Sequence, residues 1–92
     1  MSGITAKQQF HGTVALAILH LRRLAKSNDV DKGFAAARDL RMINPQHEAF
    51  MRDCLALDEQ LQNGIEPATP ITVDLSKELQ ECVLRINSAD PA

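Results

Sequence analysis

Apolar residues recur along this chain at helical steps. Phe10, Val14, Ala17, Leu21 and Leu24 follow at intervals of four, three, four and three, which places them on one face of an α-helix. Leu16, Ile18 and Leu19 widen the stripe until the middle of the segment is apolar on more than one side. Such a helix has to be buried on more than one side, so it is either the central helix of the fold or one shared across a dimer. Thr5-Ala6-Lys7-Gln8 opens the segment as a capping box, and Arg22, Arg23 and Lys26 stand at its negative C-terminal end near Ser27-Asn28. Gly12 costs up to about 1 kcal/mol of helix propensity, and marks either a close backbone approach or a kink.

The second helical segment starts at Asp29 or Asp31 and runs to about Met42, with one row through Val30, Phe34, Ala37 and Arg41 and the next through Gly33, Ala36, Leu40 and Ile43. Its small residues, Gly33 and Ala35 to Ala37, suit close helix packing. Asn44-Pro45 is an N-cap followed by proline at the first helical position. The third segment then carries Phe50, Cys54, Leu57 and Leu61, flanked by Met51 and Leu55, and stops at Asn63-Gly64. Pro67 and Pro70 make Ile65–Ile71 an extended connector. The fourth segment begins between Thr72 and Asp74 and shows Leu75, Leu79, Cys82 and Ile86, with Val83 and Leu84 beside them. Ser88–Ala92 reads as a frayed tail. No strand pattern or internal repeat appears, so residues 1–92 are expected to form one all-α domain, a compact bundle of three to four helices. The expected core is Phe10, Val14, Leu21, Leu24, Phe34, Phe50, Leu57, Leu61, Leu75, Leu79 and Ile86.

Size and charge change this picture in one respect. A chain of 92 residues buries only about two-thirds of its unfolded surface, so a partner chain would help it. The net charge of −2 hides an asymmetry: residues 1–26 carry +4 with no acid, residues 27–45 balance, and residues 46–92 carry −6. Halves of opposite sign attract each other, within one chain or across a dimer, and a homodimer with the first helix near a two-fold axis is the expected assembly. The alternative is that each helix simply carries a solvated charged face. The N-terminus lacks a basic region leading into an apolar core, and the uncharged run Gln8–Leu21 is too short and polar to span a membrane, which points to a cytoplasmic protein. Cys54 and Cys82 fall on apolar stripes and read as reduced core residues, with a single bridge between them as the alternative.

The constellations that carry chemistry are weak. Asn28 to Gly33 only superficially suggests a calcium loop, since Val30 and Lys32 fall in ligand positions; an inter-helix turn with an Asp cap fits better. His11, His20 and His47 with the two cysteines include no metal-binding spacing beyond His47 and Cys54, seven apart on one face. That same pair is the one local nucleophile and base, among neighbours that suggest core, so no enzyme, metal or cofactor is expected. The second and third segments have a helix-turn-helix look, yet the third carries Glu48, Asp53, Asp58 and Glu59 against Arg52 and would repel a duplex. Without Trp or Tyr, and with three Phe, base stacking has little to work with.

In size, helical pattern and the apolar Phe10–Leu24 stripe, the chain resembles small bacterial antiactivators of quorum-sensing transcription factors, and likewise small secretion chaperones. The resemblance implies a helical protein that sequesters a partner and carries over no functional residue. With the residues, it gives the expected function: a non-enzymatic regulator that covers the apolar oligomerisation surface of a partner such as a transcription factor. Phe10, Leu16, Ile18 and Leu19 would supply buried contact, and Arg22, Arg23 and Lys26 a charged rim. A nucleic-acid-associated accessory protein using that basic end, and a secretion chaperone or adaptor, are the alternatives; direct nucleic-acid binding is the less favoured reading.

Overall fold

Local chemistry sets the ends of the helices. The computed structural model describes residues 5–88, which form α1 (Ala6–Ala25), α2 (Val30–Asp39), α3 (Pro45–Gln62) and α4 (Val73–Ser88). The fold is all-α. Thr5 Oγ1 accepts from the Gln8 N–H at 3.1 Å and Gln8 Oε1 accepts from the Thr5 N–H at 3.0 Å, closing the expected capping box. Asp29 caps α2, and Asn44 caps α3 with Pro45 in the first turn. At the end of α3, the Ile65 N–H reaches Gln60 O at 2.8 Å and the Gly64 N–H reaches Leu61 O at 3.1 Å, with Gly64 at φ 76°. Carbonyls left over at the helix end are thereby satisfied.

The same bond pattern ends α2 earlier than the expected Met42. The Met42 N–H bonds Ala37 O and the Arg41 N–H bonds Arg38 O, both at 2.9 Å, with Arg41 left-handed at φ 57°. Ser88, expected in the tail, is instead the last residue of α4, its hydroxyl donating to Arg85 O at 2.9 Å. The rest of that tail lies outside the described residues.

Helix α1 packs most extensively against α2 and α4 and also touches α3. Side-chain bonds fix the directions. The C-terminal ends of α1 and α4 meet where Arg23 donates to Asn87 at 3.2 Å. Helix α3 runs opposite to both, with His47 beside Arg85 at one end and Asp58 beside His11 at the other. Phe10, Val14, Ala17 and Leu21 join Phe34, Met51, Leu79 and Ile86 in the core.

Of the residues expected in that core, Leu24, Phe50, Leu57, Leu61 and Leu75 are only partly buried and pack against its margin. The largest departure is in α3, where the buried row is Met51, Cys54 and Asp58 rather than Phe50, Leu57 and Leu61. A carboxylate can occupy that row because both its oxygens are bonded. His11 Nδ1 lies 2.8 Å from Oδ1, and Gln62 Nε2 donates to Oδ2 at 2.7 Å. Burial of a polar group is tolerated once its hydrogen bonds are made.

Cys54 and Cys82 are free and buried. Burial pushes the Cys54 thiol up to about 12, helped by Cys82, Asp53 and Glu78, and burial raises Cys82 as well. A raised thiol favours the neutral folded state. Its contribution is therefore complete below the ordinary thiol value of 9.0 and disappears as pH rises from there to about 12. Over that window the wild type should lose about 1.4 kcal/mol per pH unit relative to Cys54→Ala. Urea melts of the two proteins at pH 8, 9 and 10 check this; parallel pH profiles would contradict it.

Candidate interaction face

The apolar width of α1 is not used up by the fold. Leu16 is 49% exposed and Leu19 58% exposed, and Leu84 on α4 is 64% exposed. On α1, Gly12, Leu16, Leu19 and Arg23 succeed one another at steps of four, three and four, making a single outer row. On α4, Val73, Lys77, Gln80, Leu84 and Asn87 do the same at steps of four, three, four and three. All these residues are exposed. Because Arg23 and Asn87 are hydrogen-bonded, the two rows run side by side and end together. His20 borders this seam. Burial, reinforced by Arg23, holds its imidazole below the usual histidine range, and its Nδ1 has no hydrogen-bond partner among the described residues. At neutral pH the seam is therefore uncharged there.

The α1 side of this face has one sign, whereas the exposed acids Asp74 and Glu81 border the α4 row. Neither outer row contains an acid, and α1 contains none along its whole length. Among the described residues Arg22, Arg23, Lys26 and Lys77 have no carboxylate within ion-pair distance. By contrast Lys7 pairs with Glu66, Arg38 with Glu48, and Arg52 with both Asp31 and Glu48. A shallow cleft of about 570 Å³ lies between Leu19, Arg22, Arg23, Lys26, Ser27 and Asn28.

Five of the seven expected contact residues stand at this surface: Leu16, Leu19, Arg22, Arg23 and Lys26. Phe10 does not. It is wholly buried in the core, because its place on the Phe10–Val14–Ala17–Leu21 row faces the other helices. Ile18 is half-buried against the core margin. Leu84, Val73 and Lys77 escaped sequence reasoning, since only the pairing of α1 with α4 adds them to the face.

Elsewhere the residues with chemical potential are engaged in structure. Asp29 Oδ1 accepts from the Asp31 N–H at 2.9 Å, and Asp31 binds Arg52 at 2.7 Å, so the Asn28–Gly33 segment is a capped turn. Among the described residues no three His, Cys, Asp or Glu side chains gather to hold a metal. No hydrogen bond joins His47 to Cys54; the histidine serves the N-terminus of α3 and the thiol lies in the core. The cleft of about 450 Å³ beside His11 and Asp58 is lined by no hydroxyl or thiol. Arg52, the lone cation of α3, is tied down by its two carboxylates and lies 4.4 Å from the Phe34 ring centre. Among the described residues no helix is long and apolar enough to cross a membrane. No protein-family model, curated protein or solved structure matches this chain.

Gly12 is the first residue of the exposed α1 row, with nothing within 4 Å of a Cβ placed on it. Gly12→Ala should therefore stabilise the protein by up to about 1 kcal/mol, which is about 4–8 °C in Tm for a domain of this size. A fall in Tm on calorimetry would show that the position is strained.

Proposed function

We propose that this chain is a protein-binding regulator that sequesters a partner by covering an apolar surface the partner uses to self-associate. The observation that carries this reading is the exposed double row on α1 and α4, apolar at Leu16, Leu19 and Leu84, with Arg22, Arg23 and Lys26 at its α1 end and no acid on α1. An apolar patch with a one-sided charged rim is matched by a surface of the opposite sign. The fitting occupant is an amphipathic helix with acidic flanks, docked by its apolar residues along the seam. This is also the mode of action that the resemblance to antiactivators of transcription factors implies, with the protein acting in the cytoplasm and without a cofactor.

A second copy of the chain is the competing occupant. In a two-fold pair each patch meets its own image, and α1 would bring cations against cations with no acid on either side. Charge thus disfavours a contact of α1 with α1, but not one of α1 with Asp74 and Glu81 beside the α4 row. Light scattering at micromolar concentration separates the two: the regulator reading expects a monomer, whereas a dimer broken by Leu19→Glu would assign the face to self-association. Affinity capture from the native host tests the reading itself. One stoichiometric acidic protein, lost with Leu19→Glu and unaffected by nuclease, is the expected result. Nucleic acid recovered in its place, with salt-dependent affinity, would overturn it.

A further inference from the structure

A second surface, away from the apolar seam, gathers Arg38 and Arg41 with Arg85, which is distant from them in sequence. Arg38 from the last turn of α2, Arg41 from the turn that follows it, His47 from the first turn of α3 and Arg85 from the last turn of α4 line a cleft of about 570 Å³ with Met42, Ile43, Asn44 and Ser88. Arg38 is partly neutralised, its Nε lying 2.9 Å from Glu48. Arg41 and Arg85 have no carboxylate within ion-pair distance among the described residues.

The histidine makes the corner deficient in acceptors. Its Nδ1 lies 3.4 Å from the Asn44 backbone N, and its Nε2 lies 3.3 Å from Arg85 Nη1. Both neighbours are donors, and a neutral imidazole has a single acceptor nitrogen. Whichever nitrogen holds the proton, the imidazole accepts from only one of these two exposed donors, and the other is open to a ligand. An anion seated between Arg85, His47 and Arg41 would supply the missing oxygens. The Asn44 side chain already caps α3 by accepting from the His47 N–H at 2.7 Å, so this site rests on side chains and not on the helix terminus.

We infer that this cleft binds the phosphate group of a small organic phosphate monoester. Donors arrive from three separate elements, which suits a tetrahedral dianion with three charged oxygens better than a planar carboxylate with two. Ile43 and Met42, buried and half-buried, give the organic part an apolar wall. The site shares no residue with the α1–α4 seam and stands or falls independently of the partner proposed for it.

The test is an NMR titration that follows the arginine Nε–H and histidine ring signals, with inorganic phosphate and a nucleoside monophosphate as probes and chloride at matched ionic strength as reference. Saturable shifts confined to Arg41, His47 and Arg85 are expected. A tighter nucleotide assigns the organic ester, and equal affinities assign free phosphate as the natural ligand. Arg85→Gln should weaken binding about tenfold or more, the worth of one charged hydrogen bond. Arg41→Gly should abolish binding without lowering Tm, because glycine accepts the left-handed backbone at φ 57°. Shifts that chloride reproduces, that spread equally to Arg22 and Arg23, or that survive both substitutions would overturn the assignment.

Discussion

Gly33→Ala is expected to destabilise the protein by about 3 kcal/mol, a drop in Tm on the order of 10–20 °C. A Cβ built on Gly33 falls 2.5 Å from the Leu21 carbonyl oxygen and 2.6 Å from the Leu21 Cβ. The first of these atoms is backbone, so no rotamer change relieves the overlap and α2 must move away from α1. That movement would loosen the packing of the wholly buried Phe34, the next residue. A small domain has about 5–15 kcal/mol in total, so the loss is a large share. Denaturant melts measure it directly. A change below 1 kcal/mol would mean that the helices part with little resistance, contrary to the close approach of Gly33 to the Leu21 backbone.

Leu19→Glu is expected to do the opposite: leave stability near wild type and reduce partner affinity by about 100-fold. Leu19 faces solvent, so the folded chain buries no new charge in this variant. In a docked complex the carboxylate would be desolvated at the centre of the contact, facing the acidic flanks of the partner, at a cost of about 2–4 kcal/mol. Leu21→Glu on the same helix is the counterpart, since Leu21 is wholly buried and the charge would unfold the protein. Circular dichroism melts read alongside binding isotherms distinguish the two effects. Loss of binding accompanied by loss of helix in Leu19→Glu would show that this residue serves the fold.

The helix termini were legible because their chemistry is local: Thr5 with Gln8, Asn44 with Pro45 and Asn63 with Gly64 act within a few residues. The C-terminus of α2 was not, because Arg41 takes the left-handed conformation that sequence reading assigns to glycine. The rotation of α3 was hidden by Asp58, which interrupts an apolar row while its bonding partner His11 lies 47 residues away. Leu16 and Leu19 were legible as surplus apolar surface, but the identity of α4 as their neighbour was not. The same limit hid the arginine cleft, which exists only because the last turn of α4 returns to the start of α3.

We propose the α1–α4 seam as the docking site of an acidic amphipathic helix. Titrating the isotopically labelled chain with a designed helical peptide tests this most directly, with leucine at i, i+3, i+4 and i+7 flanked by glutamate, and a lysine-flanked version as control. Saturable amide shifts along Leu16, Leu19, Arg23, Lys77 and Leu84, weakened by salt and absent with the lysine peptide, are the predicted result. Shifts of equal size with both peptides, or centred away from the seam, would contradict it.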